Sequence, residues 1–289
     1  MAQDSKSPAK ILTITCPDGP GIVAAVTGKL AENGANIMAA AQFGDAGTGR
    51  FFQRIVFESG PWIAGDDRFQ KDFGPIAERF QMDWALHDAG TRAKAVIAVS
   101  KIGHCLADLL HRHHSGDSAI DIRAVVSNHE DMRDLVEWHG IPYHHLPVTP
   151  ETKPAQEEKI LGVIEESGAE LLVLARYMQI LTAPTSERLA GRCINIHHAF
   201  LPGFKGARPY HRAHERGVKL IGATAHYVTP DLDEGPIIEQ AVERVDHAHT
   251  PADLVSIGRD IECTVLARAV RWHAERRVLL NGIKTAVFR

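Results

Sequence analysis

The chain has 289 residues, and its 32 basic and 36 acidic side chains give a formal charge of −4. This balance leaves no basic excess for a nucleic-acid backbone or an anionic membrane, and no segment reaches the roughly 18 consecutive apolar residues of a membrane span. The first ten residues lack the apolar stretch of a secretory signal. Four widely spaced cysteines without a C-x-x-C pair are typical of reduced thiols in a cytoplasmic protein. At about 150 residues per domain, the length predicts two domains.

The first predicted domain covers residues 10–88 and alternates strand and helix patterns in the order βαββαβ. A β-branched run at 11–16 predicts a strand, which ends at the turn 17–21. Apolar positions at helical spacing from Ile22 onward predict a helix. The remaining predicted elements are a hairpin at 36–43 and 50–58, a helix around 69–80 and a strand at 82–87. This order is typical of a ferredoxin-like domain.

Residues 89–93 form a predicted linker, and residues 94–289 form a second predicted domain. The runs at 95–99, 120–126 and 171–174 are continuously apolar, which indicates a mostly parallel sheet covered on both faces, as in a doubly wound α/β fold. The predicted strands lie at 95–99, 120–126, 171–174, 223–229 and 237–245, and the predicted helices at 104–114, 130–139, 154–167 and about 251–275. Ligands of such folds bind beyond the carboxyl ends of the strands.

A polar cluster at one such strand end carries the candidate chemistry. Asn195 and His197 are two residues apart in an apolar run, so they point to the same face of a strand. An acidic turn containing Asp231 and Asp233 follows between two predicted strands. A proton-transferring histidine, an oxyanion-stabilising amide and an orienting carboxylate together predict acyl chemistry without a nucleophilic Ser or Cys. From spacing alone, a structural histidine and an ordinary turn aspartate explain the pattern somewhat better.

Four segments of the chain resemble known families. Residues 194–202 and 232–236 resemble the signature of the folate-dependent formyltransferases, and residues 175–181 resemble their folate-binding segment. Residues 18–37 resemble part of an ACT domain, a small amino-acid-sensing module. An ACT domain ahead of a formyltransferase-like domain is similar to the formyltetrahydrofolate deformylase family, over nearly the whole chain.

The resemblance implies hydrolysis of 10-formyltetrahydrofolate to formate and tetrahydrofolate, which supplies formate for purine biosynthesis and balances the one-carbon folate pools. It implies catalytic roles for Asn195, His197 and Asp233. The folate contacts it implies come from Arg176, Met178, Gln179, Ile180, Leu181, Val228, Thr229 and Asp231. The ACT effector site it implies, for an amino acid such as glycine or methionine, consists of Asp18, Gly19, Gly21 and Asn36. We expect a homo-oligomer, a dimer or tetramer, with no cofactor, metal, nucleic-acid or membrane partner.

One loop departs from the related glycinamide ribonucleotide transformylases. Those enzymes hold a substrate phosphate in a glycine-rich loop at a helix N-terminus, but the corresponding residues 100–105 contain a single glycine. Because a backbone without glycines approaches a phosphate less closely, we expect water rather than a nucleotide to take the formyl group. Gln179 stands where those transferases often carry Arg, and Lys205 and Arg208 are candidates for contacts with the glutamate tail of the folate. Two alternatives remain open: formyl transfer to an amine acceptor, and a folate- and amino-acid-sensing protein without catalysis.

Overall fold

The computed structural model of the chain describes residues 9–58, 66–203 and 209–289, which fall into two compact units. Unit 1 contains the residues up to Thr91 together with Glu275–Asn281 and Ala286–Arg289. Unit 2 contains Arg92–Ala274 and Gly282–Thr285. Within the described ranges, no helix combines the length and the apolar character that a membrane crossing requires.

Unit 1 is built on a four-stranded antiparallel sheet. Its N-terminal elements are β1 (Ala9–Pro17), α1 (Ile22–Glu32), β2 (Asn36–Asp45), β3 (Arg50–Glu58), α2 (Asp66–Arg79) and β4 (Asp83–Asp88). The strand order is β2-β3-β1-β4, so β2 and β4 are the edges. Leu12 and Ile14 of β1 pack with Phe69 and Phe73 of α2 in the core of this unit. The predicted ferredoxin-like βαββαβ order is confirmed.

Unit 2 is built on a seven-stranded sheet. Its elements are β5 (Ala93–Val99), α3 (His104–His114), β6 (Ile120–Ser127), α4 (Arg133–Trp138), β7 (Tyr143–His145), α5 (Lys153–Ser167), β8 (Leu171–Leu174), α6 (Ala183–Arg188), β9 (Cys193–His197), α7 (Pro209–Arg216), β10 (Leu220–Tyr227), β11 (Ile237–Arg244) and α8 (Pro251–Ala274). The order is β11-β10-β9-β8-β5-β6-β7, in which β10 and β11 run antiparallel to their neighbours and the other five strands are parallel. The predicted mostly parallel α/β fold is confirmed. From β5 the chain adds β6 and β7 on one side of the sheet, and it then returns to add β8 on the other side. Folds of this kind bind ligands at such a switch point, which here lies between β5 and β8.

Most of a C-terminal hairpin belongs to unit 1. Its strands are β12 (Val278–Asn281) and β13 (Lys284–Val287). Phe52 of β3 is fully buried and packs against Leu279 of the hairpin, and the guanidinium of Arg54 donates two hydrogen bonds, of 2.9 and 3.1 Å, to the carbonyl oxygen of Glu275. This segment therefore covers the face of β3 opposite the helices. The division expected from the sequence differs, since it placed all of residues 94–289 in the second domain.

Candidate active site

Strands β9 and β10 bring three polar side chains to one face of the unit 2 sheet. Asn195 and His197 are two residues apart on β9, and the antiparallel register pairs Asn195 with His226 of β10. Paired residues of neighbouring strands lie on the same face, so the three side chains form one cluster. The two histidines are buried, with 5% of His197 and 2% of His226 exposed. The sequence predicts the first two residues of this cluster but not His226.

The turn after β10 approaches that strand so closely that only glycine fits at position 235. A Cβ on Gly235 would lie 1.7 Å from the carbonyl oxygen of Tyr227, and the amide of Tyr227 donates to the carbonyl of Pro236 at 2.9 Å. Asp233 has a φ of +58°, in the left-handed region that aspartate enters more readily than most side chains. These constraints bring the carboxylate of Asp233 against the histidines.

Asp233 contacts both histidines through one oxygen. Its Oδ1 lies 3.2 Å from Nδ1 of His197 and 3.7 Å from Nε2 of His226, and its side chain is 9% exposed. Burial alone would raise the pKa of Asp233, but the hydrogen bonds and charges of His197 and His226 outweigh burial and hold the pKa well below its usual range. The group is therefore a carboxylate near neutral pH, and it stabilises a proton on Nδ1 of His197.

The hydrogen-bond partners also define the proton positions on His226. Its Nδ1 lies 2.8 Å from the carbonyl oxygen of Tyr227, which only accepts, so Nδ1 carries a proton. Its Nε2 lies 3.2 Å from Nδ2 of Asn195 and accepts a hydrogen bond from that amide when the ring is neutral. His197 differs, because its buried Nε2 has no hydrogen-bond partner among the described residues. This nitrogen is therefore the one that His197 offers to a reacting group.

A cavity of about 300 Å³ lies at the carboxyl ends of β8 and β9. Asn195, His197, His226 and Asp233 line it. Its lining also includes every residue predicted to contact folate, namely Arg176, Met178, Gln179, Ile180, Leu181, Val228, Thr229 and Asp231. Met178 and Ile180 are more than half exposed, so an apolar surface adjoins the polar cluster. This combination suits a ligand with an apolar body and one reactive polar group.

The segment that follows β8 is anchored to the end of β5. The amide of Met178 donates to Oγ of Ser100 at 2.9 Å, and the Ser100 hydroxyl donates to Oδ1 of Asn128 at 2.8 Å. Arg176 has a φ of +64° and directs its guanidinium toward Glu262 and His198. Lys205 and Arg208, the predicted contacts of the glutamate tail, lie outside the described residues.

His104, Cys105 and Cys263 bring three potential metal ligands together. One donor atom from each residue lies within 4.8 Å of the others. A hydrogen bond with Cys263 and burial raise the pKa of the Cys105 thiol, while the same hydrogen bond lowers the pKa of Cys263. The arrangement is a hydrogen-bonded cysteine pair beside a histidine, and the spacing of these residues in the sequence does not predict it.

Three of the four predicted effector residues lie together in unit 1. The turn that contains Asp18 and Gly19 leads to Gly21, whose φ of +89° precedes α1. The amide of Asp18 donates to the carbonyl of Gly49 at 2.9 Å, at the end of the sheet where β1 stops. Asn36 begins β2 at the opposite end of the sheet, roughly 30 Å away along the strand at about 3.3 Å per residue. Within one chain, Asn36 therefore does not join the other three residues.

The fold and this site define a class of protein. A family model described as formyl transferase matches residues 93–270, and a model described as ACT domain matches residues 10–61. The chain therefore combines an ACT domain with a formyl transferase domain, as the sequence motifs predict.

Relatives narrow this class further. The formyltetrahydrofolate deformylase of Corynebacterium sp. (strain P-1) is 52% identical over 281 residues, which cover 96% of this chain and 98% of the relative. The crystal structure of the formyltetrahydrofolate deformylase from Burkholderia mallei matches with a TM-score of 0.93 at 55% identity, and covers 98% of this chain and 100% of that one. A glycinamide ribonucleotide transformylase from Symbiobacterium toebii matches with a TM-score of 0.65 at 28% identity, over 71% of this chain and 98% of that one. The chain belongs to the formyltetrahydrofolate deformylase family.

Proposed function

We propose that the cavity of unit 2 binds 10-formyltetrahydrofolate and that Asn195, His197 and Asp233 act on its formyl group. As a member of its family, the chain is a hydrolase that converts 10-formyltetrahydrofolate and water to formate and tetrahydrofolate. The observation that best supports the residue assignment is the state of the His197 ring. Its Nδ1 lies 3.2 Å from the Asp233 carboxylate, while its Nε2 is buried and has no partner among the described residues.

The proposed reaction begins with attack of water on the formyl carbon. Asn195 donates to the carbonyl oxygen as that oxygen gains charge, since its amide has a second N–H beside the one that faces His226. His197 takes the proton of water at Nε2 and then gives it to the departing folate nitrogen, so that the C–N bond breaks and formate leaves. Asp233 stabilises the imidazolium between the two transfers. These steps need only protein side chains and water.

A formate-release assay without an amine acceptor tests this proposal. We expect the wild type to release equal amounts of formate and tetrahydrofolate, and His197→Ala and Asp233→Asn to lose about 10²–10⁴ in kcat. The chain offers a matched control, because Nδ1 of His249 lies 2.9 Å from Oδ1 of Asp246 in a second, more exposed His–Asp pair. His249→Ala and Asp246→Asn should keep the wild-type rate. A folded His197→Ala enzyme with near-wild-type formate release would show that the assignment is wrong.

The same assay separates hydrolysis from formyl transfer. A Cβ on Gly103 would lie 2.2 Å from Sδ of Met132, and His104 hydrogen-bonds to Glu262 at 2.8 Å, so side chains of this chain pack around the loop that would hold a nucleotide phosphate. We therefore expect added glycinamide ribonucleotide to remain unformylated. Tetrahydrofolate formation that requires the amine and releases no formate would favour a transferase, and folate binding without turnover would favour a sensing protein.

We assign a regulatory and assembly role to unit 1. The amides that precede α1 suit an amino-acid carboxylate, and Asp18 suits its ammonium group. Calorimetry with glycine and methionine, on the wild type and on Asp18→Ala, tests the effector. We expect binding heat that Asp18→Ala abolishes. An absence of heat and of any change in activity with either amino acid would leave unit 1 an assembly element alone.

A further inference from the structure

Glu262 of α8 is a buried carboxylate that the proposed reaction does not use. It is 1% exposed, and it accepts hydrogen bonds from Nε2 of His104 at 2.8 Å and from the hydroxyl of Tyr210 at 2.7 Å. Burial would raise the pKa of Glu262, but the hydrogen bond from His104, the charge of Arg176 and the hydrogen bond from Tyr210 hold it below its usual value. Nε of Arg176 lies 3.5 Å from the Glu262 carboxylate. A buried anion therefore anchors the guanidinium of Arg176.

Arg176 connects this anion to the proposed catalytic histidine. Its Nη1 forms a hydrogen bond with Nδ1 of His198. Since a guanidinium only donates, Nδ1 of His198 accepts, and that ring is a neutral imidazole with its proton on Nε2. The ring of His198 is stacked on that of His197, with centroids 5.0 Å apart and 15° between the planes. Tyr210 is also near, with its ring centroid 6.4 Å from that of His198.

The backbone conformation of Arg176 is a second, independent indication that its side chain has a functional role. Its φ of +64° lies in the left-handed region, which favours glycine and disfavours an arginine. Only 11% of the side chain is exposed, so solvation of the guanidinium does not account for an arginine there. Disfavoured backbone conformations of this kind concentrate at functional sites.

We propose that Arg176 is a positioning residue for the hydrolysis: held by Glu262, it keeps His198 neutral and stacked on His197, so that His198 does not compete for the catalytic proton. The proposal rests on the role proposed above for His197. Without Arg176, two adjacent imidazoles both accept protons, and a proton on His198 opposes the imidazolium that His197 forms against Asp233.

Arg176→Gly tests the proposal, because glycine suits a φ of +64° and the substitution removes only the side chain. We expect kcat to fall about 10- to 100-fold, as for the loss of a hydrogen bond with a charged partner, while KM for 10-formyltetrahydrofolate changes less than about threefold. Guanidinium ion below denaturing concentrations should restore part of the lost kcat, because it fills the place between Glu262 and His198. Urea has a similar planar shape but no charge and should not restore it.

Two further variants test whether the effect is specific to Arg176 and whether it acts through His198. Arg276 of unit 1 is another arginine at positive φ, +56°, so Arg276→Gly is the matched control and should leave kcat unchanged, with or without guanidinium. His198→Phe keeps a stacked ring that cannot take a proton. In that background, Arg176→Gly should cause no further loss of kcat.

The outcomes separate this proposal from the proposed function. An unchanged kcat in Arg176→Gly, a loss confined to KM, or a loss of kcat that guanidinium does not restore would each overturn the role of Arg176. A loss confined to KM would instead indicate a folate contact. A wild type that releases no formate, or an active His197→Ala enzyme, would overturn the proposed function itself.

Discussion

His226 lies beside both the proposed oxyanion donor and the carboxylate. Its Nε2 lies 3.2 Å from Nδ2 of Asn195 and 3.7 Å from Oδ1 of Asp233, while the carbonyl of Tyr227 holds its Nδ1 at 2.8 Å. The ring therefore fixes one N–H of the Asn195 amide and leaves the other for the substrate oxygen. His226 acts through Asn195, which makes it a positioning residue.

Substitutions at His226 should separate hydrogen bonding from packing. We expect His226→Leu to lower kcat about 10-fold, the size expected when a buried hydrogen bond is lost and its partner is freed. His226→Gln places an amide near the former Nε2 and should retain more activity than His226→Leu. Steady-state kinetics on the two variants, with circular dichroism to verify folding, measure the difference. Equal rates for the two variants would contradict this role.

Protonation of Asp233 at low pH should also lower the free energy of unfolding. Its pKa in the folded chain lies below the 3.8 that is ordinary for aspartate. Its contribution to the free energy of unfolding is therefore complete above about pH 4 and is lost as the pH falls through the lower, folded pKa. Asp233→Asn should show a shallower loss of stability below that pH than the wild type, as measured by urea unfolding at a series of pH values. Identical pH dependence in the two proteins would show that the pair does not stabilise the fold.

The turn between β10 and β11 positions Asp233, because the turn is held rigidly against β10. The turn is tied to β10 by the hydrogen bond between Tyr227 and Pro236, and Gly235 permits the close approach. Any side chain at that position would move the whole turn, and with it the carboxylate, away from His197.

Alanine substitutions at two glycines should therefore have opposite effects. Gly235→Ala places a Cβ 1.7 Å from a carbonyl oxygen, and we expect it to lower kcat and to cost about 1–3 kcal/mol of stability, as overpacking typically does. Gly162 lies inside α5 with no neighbour within 4 Å of an added Cβ, so Gly162→Ala should stabilise the chain by roughly 0.5–1 kcal/mol and leave kcat unchanged. Thermal unfolding and kinetics on both variants test this, and a Gly235→Ala enzyme with wild-type kcat would contradict it.

The two-residue repeat of strands explains which parts of this site are predictable. Asn195 and His197 share a face by that rule alone, and buried parallel strands such as β5 and β8 are visible as continuous apolar runs. His226 is not predictable in this way, because its place depends on the register between β9 and β10. The assignment of Asp233 and of the cavity lining comes from family resemblance, since spacing alone favoured an ordinary turn.

Short elements escape prediction for a related reason. Strand β7 has three residues and helix α6 has six, which is too few to show a hydrophobic period. Tertiary contacts hold them instead, such as the hydrogen bond from the hydroxyl of Tyr143 in β7 to the carbonyl of His129 at 2.6 Å. The C-terminal hairpin is similar, because its partner Phe52 lies more than 200 residues earlier in the chain.

The edge strand β2 bears on the assembly of the whole molecule. Its residues 36–44 carry no charged side chain, and Met38 and Phe43 are 56% and 48% exposed. An uncharged, exposed edge presents unpaired backbone groups that a second copy can pair with. This edge is the surface on which we place the expected homo-oligomer contact.

A lysine on that edge should weaken the assembly without unfolding the chain. Ala40 is exposed in β2, so Ala40→Lys adds a charge that the folded monomer tolerates but a paired strand does not. We expect light scattering to give a dimer or tetramer of the 31.7 kDa chain for the wild type, and a smaller mass for Ala40→Lys. Ile283→Lys changes an apolar residue that is 83% exposed outside the edge and should leave the mass unchanged. A monomeric wild type at micromolar concentration would reject the prediction.

The C-terminal hairpin has a consequence for synthesis on the ribosome. Unit 1 needs Glu275–Asn281, and residues 92–274 are translated before them. At 5–20 residues per second, that interval lasts roughly 10–40 seconds. During this time the face of β3 that carries Phe52 lacks the hairpin residues that pack against it, so the nascent sheet presents an apolar surface to chaperones or to neighbouring nascent chains. Most residues of unit 2 are translated before Glu275–Asn281. Unit 1 is therefore the first unit whose translation begins and the last that can complete its fold.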